Sequence, residues 1–366
     1  MSTPLTPTQM IAKCGNGINL GLFFEMNGHD CSASTVSPIL KAYADKGFKS
    51  VRIPVTYFPA LLNGACRLDD PVFMQKLDNA VYYSVSLGMT VMLNAHFENW
   101  LYDNYDGSAA FNSKFWGLWR RIATRYNNIA QGNLVFETLN EPHANLGNFD
   151  RNNQNDPNAL LFTRAVNKVA FDGIRSVNKT RIIVLTVNGM QAICQAQQVY
   201  PNIASFPMSG TDKYLMVACH SYTPWSDFCG ESANNNYYLQ QPNPFAAQYN
   251  DINNLINQLT SWRNGLNYPS LGVAMTEFGV GDKWNSGRRN TAIVSNYYRM
   301  TGQMCRAAGI LPMAWNDCSQ SSWFGLSTLP SETNGTVQWI YGLANACLGI
   351  NVALPPSDLR DNIDNA

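Results

Sequence analysis

The chain has 366 residues, 25 basic against 25 acidic side chains and only 14% charged residues, so it offers no field of one sign to nucleic acid or an anionic membrane, and an uncharged substrate is expected. No run approaches about 18 consecutive apolar residues, which excludes a membrane-spanning helix. The length allows several domains or one α/β barrel, and no linker or low-complexity repeat divides it.

Short apolar, β-branched runs alternate with stretches of helical period. The first strand candidates are GINLGL (17–22) and SVRIPV (50–55). A helix is expected over 71–87, entered at Asp70-Pro71, where an N-cap oxygen precedes a residue with no N–H to orphan. TVMLNAH (90–96), a helix over 111–126, NLVFETLN (133–140), a second Asp-Pro entry into a helix over 157–177, and RIIVLTV (181–187) follow. YLMVACHSY (214–222), a helix over 246–265, SLGVAMTEFG (270–279), a helix over 289–308 and ILPMAWND (310–317) complete the series. Eight β-then-α units predict an α/β protein, a single (β/α)8 TIM barrel domain over 1–366 with long loops on its C-terminal face. A doubly wound open sheet is the structural alternative, but the first strand lacks a GxGxxG turn.

Polar residues recur at the ends of these strand candidates: Arg52, His96, Asn140 with Glu141, His220 with Tyr222, Glu277 and Trp315. Singly, each has an ordinary structural reading as a cap, a core histidine or a core aromatic. A barrel, however, brings all eight to one mouth. Two carboxylates facing each other in an uncharged groove suit glycosidic bond cleavage, one protonated toward the leaving oxygen and one ionised toward the anomeric carbon or a water. Arg52 and Tyr222 beside Glu277 are expected to favour its charged form, that of a nucleophile. Glu141 is expected to hold its proton beside that second carboxylate and to serve as acid and then base. Asn140 is positioned to donate to a sugar 2-hydroxyl.

The motifs VRIP, LNAH, LNEP, HSY, TEFG and AWN, in this order over essentially the whole chain, resemble glycoside hydrolase family 5, the retaining (β/α)8 cellulases and mannanases. That resemblance implies Glu141 as acid/base and Glu277 as nucleophile, with Arg52, His96, Asn140, His220, Tyr222 and Trp315 in support. Longer stretches, such as WRRIATRYNNIAQGNLVFETLNEPH, are similar to endoglucanases of anaerobic cellulose degraders. Two departures, Leu22 after Gly21 and Phe97 after His96, fall where subsite walls would lie. The implied activity is endo-cleavage of β-1,4-glucan or mixed-linkage glucan by a monomer; mannan, xyloglucan and β-1,3-glucan are the alternative substrates. A non-catalytic sugar-binding barrel is the rival class, which intact carboxylates disfavour.

Among the loop tryptophans, Trp225 and Trp100 are candidate sugar-stacking platforms, the alternative being that each pins its own loop. His143 and the carboxylates Asp103, Asp106, Asp227 and Glu231 read as loop structure or solvated surface. No His/Cys/Asp grouping has metal-ligand spacing, so neither a metal nor another cofactor is expected. The nine Cys contain no CxxC pair. Cys219 and Cys305 read as buried, whereas Cys31, Cys66, Cys229 and Cys318 lie in loops where an oxidising compartment would let them pair. With sequons at Asn178 and Asn334 and a start lacking a leader, these loop cysteines point to a secreted, processed protein.

Overall fold

The computed structural model describes residues 3–350, so the outermost ends of the expected 1–366 domain lie outside the described residues. Eight parallel strands close into a barrel in sequence order: β1 (Gly17–Asn19), β2 (Ser50–Ile53), β3 (Thr90–Asn94), β4 (Leu134–Glu137), β5 (Ile183–Thr186), β6 (Leu215–Ser221), β7 (Gly272–Phe278) and β8 (Ile310–Ala314). Every expected strand is present, but most end earlier than the apolar pattern suggested. His96, Asn140, Glu141, Tyr222 and Trp315 therefore sit just beyond the ladder, on loops that turn their side chains across the mouth.

The expected helices are Pro71–Ser86, Ala109–Arg125, Pro157–Arg175, Pro244–Gly265 and Ala292–Ala307. Asp70 accepts hydrogen bonds from the amides of Val72 and Phe73, and Asp156 from those of Asn158 and Ala159, so both Asp-Pro entries work as caps. A helix at Ala33–Lys46 was not foreseen because Pro38 interrupts its pattern. Between β5 and β6 the chain forms only the short helical turns Asn188–Gln191 and Gln195–Val199 before a run of 3-10 turns.

Another unforeseen helix, Pro7–Cys14, carries a capping box of Thr6 and Gln9. Its buried face of Met10, Ile11 and Cys14 packs with Met92, Val135, Val184, Met216 and Met313 from the barrel interior. It plugs the N-terminal end of the barrel with apolar side chains and leaves the polar chemistry to the other end. The larger apolar layer lies between strands and helices, with Val51, Leu93, Phe136, Leu185, Val217 and Val273 facing residues such as Tyr43, Trp119 and Phe171.

Candidate active site

Arg52 on β2 is fully buried and organises the mouth. Its Nε donates to Glu137 Oε2 at 2.6 Å, and its Nη1 to Glu277 Oε1 at 2.6 Å and Asn19 Oδ1 at 2.9 Å. Its Nη2 donates to Asn140 Oδ1 at 2.7 Å. One guanidinium thus ties β1, β2 and β7 to the end of β4. Burying such a charge is tolerable only because every edge of the fork meets an acceptor; loss of one partner of a buried pair costs about 3–5 kcal/mol.

Glu137 went unrecognised as part of this site. It is the last residue of β4, fully buried, and besides Arg52 it accepts from Asn94 Nδ2 at 3.0 Å and Thr276 Oγ1 at 2.9 Å. Although burial works to raise its carboxyl, the Arg52 guanidinium holds it below the ordinary range. Asn19, Asn94, Thr276 and Gln191 were missed likewise. For Glu137, Asn19 and Asn94 the available signal was a charged or amide side chain inside an otherwise apolar strand run, since in a barrel such a residue points inward.

Successive strand residues normally face opposite sides, yet Thr276 and Glu277 both reach the site. The pairing of β7 with β8 shifts register between Met275 and Phe278, and that of β6 with β7 between Cys219 and His220; such irregularities re-aim side chains at barrel rims. His220 Nδ1 lies 2.9 Å from Glu141 Oε1 and 3.6 Å from Glu277 Oε2, while its Nε2 lies 3.1 Å from Thr276 Oγ1. Tyr222 OH donates to Glu277 Oε2 at 2.9 Å. An oxygen of Glu141, an oxygen of Glu277 and a ring nitrogen of His220 all fall within 4.8 Å of one another.

Glu141 is held by its backbone as well. Its φ is +39°, a left-handed value that costs a non-glycine residue of order 1 kcal/mol and persists where the surroundings enforce it. The enforcement comes from the turn after β5, where Gly189, Met190 and Gln191 all have positive φ. The Glu141 amide donates to Gln191 Oε1 at 2.7 Å, and the Met190 amide to Pro142 O at 3.2 Å. His143, read as loop structure, has Nδ1 2.6 Å from Glu141 O and its ring 4.3 Å from that of Tyr102. It braces the loop. Tyr102 OH reaches the carbonyls of both His96 and Asn140.

Burial pushes the Glu141 carboxyl up to about 7, with Arg52 and His143 pulling it down and Glu137 adding to the rise. The expected cause was a second carboxylate; loss of water is the larger one. Glu277 is also raised: burial outweighs the pull of Arg52, which favours its charged form as expected. Arg52 and Tyr222 still donate directly to its two oxygens, whereas among the described residues Glu141 pairs with no Lys or Arg. Of the pair, Glu277 is the one equipped to carry the charge. Burial brings His220 down to about 4 and holds His96 well below its ordinary value, so both imidazoles are neutral.

His96 and Trp315 stack with ring centroids 5.9 Å apart and planes 15° apart, and Asn94 Nδ2 lies 3.2 Å from His96 Nδ1. Trp315 Nε1 donates to Asp317 at 2.7 Å. Gly21 makes room for this ring, because a Cβ there would stand 2.9 Å from Trp315 Cζ2. Trp225 is 49% exposed, edge-on to Tyr222 at 5.9 Å and stacked on Phe324 at 6.4 Å. Trp100 departs from the platform reading. Its ring packs against Phe58, Phe111 and Phe115 under the Lys114 ammonium, and its Nε1 donates to the buried Glu98 at 2.7 Å. It pins its own loop.

All nine cysteines are free thiols; Cys31, Cys66, Cys229 and Cys318 are buried and only Cys194 is exposed. The loop pairing that an oxidising compartment would allow does not form: Cys31, Cys66, Cys229 and Cys318 all belong to the main apolar cluster and behave as core side chains. Asn178 spends its side chain in a turn, accepting from the amides of Thr180 and Arg181 and donating to Asn127 at 2.8 Å. Among the described residues, no helix is long and apolar enough to cross a membrane.

The model of the family described as "Cellulase (glycosyl hydrolase family 5)" matches residues 14–321. Endoglucanase A of Paenibacillus barcinonensis is 26% identical over 340 residues, covering 86% of this chain and 83% of that protein. Endoglucanase A of Ruminococcus albus is 22% identical, covering 86% and 84%. A solved broad-specificity endoglucanase from Clostridium acetobutylicum superposes with a TM-score of 0.74 at 20% identity over 95% of this chain and 100% of its own. Taken with the barrel and the paired carboxylates at its mouth, the match places this chain in the cellulase family, glycosyl hydrolase family 5.

Proposed function

We propose that this protein is a retaining endo-β-1,4-glucanase in which Glu277 attacks the anomeric carbon and Glu141 is the acid/base. The observation that carries this reading is the close approach of the two carboxylates, with oxygens of both inside a 4.8 Å cluster. Retaining enzymes hold their carboxyl groups about 5–5.5 Å apart, and inverting ones need about 6.5–9.5 Å to admit a water. In the first step Glu277, oriented by Arg52 and Tyr222, forms the glycosyl ester while Glu141 passes its proton to the leaving oxygen. In the second, Glu141 takes a proton from water, which opens the ester. Arg52 occupies Asn140 Oδ1, which directs the amide N–H of Asn140 to the sugar 2-hydroxyl.

The glucan assignment draws on the names of the relatives and on a Ruminococcus champanellensis endoglucanase with bound cellotriose, TM-score 0.74 at 18% identity. Trp225 and Phe97, which is 38% exposed and edge-on to His96 at 4.4 Å, supply aromatic walls for pyranose rings. The chain acts as one monomeric catalytic domain outside the cell, where polymeric glucan is met. Kinetics on soluble cellulose, mixed-linkage glucan, xyloglucan and mannan test the substrate. Glu277→Ala and Glu141→Ala should each abolish most hydrolysis, and added azide should yield the α-glycosyl azide from the first and the β-glycosyl azide from the second. The same anomer from both would refute the assignment.

A further inference from the structure

We propose that Glu137 and Thr276 are positioning residues that fix the tautomer of His220, leaving its Nδ1 as a bare acceptor facing Glu141 and so keeping the catalytic proton on Glu141. The proposal rests on the acid/base reading of Glu141 and follows from counting hydrogens along the chain of contacts. Glu137 receives Arg52 Nε and Asn94 Nδ2 on one oxygen, and Thr276 Oγ1 at 2.9 Å with Gln191 Nε2 at 3.4 Å on the other. Surrounded by donors, it is a carboxylate and only accepts. The single hydroxyl hydrogen of Thr276 is therefore committed to Glu137. Its oxygen is left to accept at 3.1 Å from His220, which places the imidazole hydrogen on Nε2.

A neutral imidazole has one N–H, so Nδ1 carries a lone pair 2.9 Å from Glu141 Oε1. Two lone pairs do not share that distance comfortably; the hydrogen between them belongs to Glu141. Once Glu141 has given its proton to the departing sugar, the same lone pair faces a carboxylate. That repulsion makes Glu141 a stronger base for the water of the second step. Titratable groups around Glu141 are Arg52 on β2, Tyr102, Glu137 on β4, His143 on its own loop, His220 on β6, Tyr222 and Glu277 on β7. Of these only His220 contacts the acid's carboxyl oxygen directly.

The test is Thr276→Val, close in shape but without the hydroxyl, beside Thr276→Ser, which restores it. With no acceptor for Nε2–H, His220 can move its hydrogen to Nδ1 and donate to Glu141, favouring the charged carboxylate. The alkaline limb of kcat/KM on glucan should then move down by about one pH unit, while the acid limb stays in place. Thr276→Ser should return it. On 2,4-dinitrophenyl β-cellobioside, whose leaving group departs without a proton, the alkaline limb of kcat/KM should be absent in both wild type and Thr276→Val. Nitrogen NMR of protein labelled in its four histidines reads the tautomer directly, with His220 assigned by its replacement with Gln. It should show hydrogen on Nε2 in the wild type and on Nδ1 in the valine variant. Hydrogen on Nδ1 in the wild type, or an unmoved alkaline limb in a folded Thr276→Val, overturns the proposal. Glu141→Ala assayed on the same aryl glycoside separates the underlying reading: kcat/KM retained there but lost on glucan supports the acid role, and equal loss on both overturns that role whatever the tautomer.

Discussion

Replacing Glu141 by Gln should make the protein more stable, and only above acidic pH. The native carboxyl titrates near 7 because burial penalises its charge, against an ordinary value of 4.5. Below 4.5 it is protonated in both folded and unfolded chains and contributes nothing. Between 4.5 and 7 the folded state binds the extra proton, so stability falls as pH rises, and the full penalty stands above 7. At about 1.4 kcal/mol per pH unit, the difference of roughly 2.5 units amounts to about 3 kcal/mol. Glutamine removes the charge and keeps a donor toward His220 Nδ1. With an unfolding entropy near 2 cal/mol/K per residue, about 3 kcal/mol raises Tm by about 4 °C. Thermal melts of wild type and Glu141→Gln at pH 4 and pH 8 should therefore agree at the lower pH and separate at the higher. An equal offset at both, or a less stable variant at pH 8, would refute burial as the cause of the raised carboxyl.

The same value sets the pH dependence of catalysis: kcat/KM on glucan should fall as pH rises through about 7, and that fall should be absent on the aryl glycoside, whose leaving group needs no proton. Trp225→Ala should raise KM on long glucans about fivefold, as expected for loss of one stacked ring worth about 1 kcal/mol, with kcat on the aryl glycoside unchanged; a fall in kcat instead would assign Trp225 to holding Tyr222. A thiol reagent should modify one cysteine in the native protein, Cys194, and nine after denaturation, and a reductant should leave Tm unchanged. Leu22, at φ +73°, should gain about 1 kcal/mol on replacement by Asn, which tolerates that conformation better; urea unfolding would measure it.

Sequence alone carried the barrel, because eight short apolar runs and their Asp-Pro helix entries are local features that need no knowledge of neighbours. It also marked Glu141, Glu277 and their six companions as residues at or near strand ends, which the structure brings to one mouth. Strand lengths were overestimated, since hydrophobic alternation does not mark where the ladder gives way to a loop. Glu137, Thr276, Asn19 and Asn94 stayed hidden for a related reason: inside an apolar run, a polar side chain has meaning only once the barrel has closed and shown what lies opposite. The left-handed turn of Gly189, Met190 and Gln191 that grips the Glu141 backbone is a contact between loops 50 residues apart (Glu141 to Gln191). Trp100 and the loop cysteines were misjudged because exposure is a property of packing and composition does not contain it. The protonation of the carboxyl pair also belongs to the tertiary structure, since the loss of water around Glu141 and the direct reach of Arg52 to Glu277 exist only in the folded mouth.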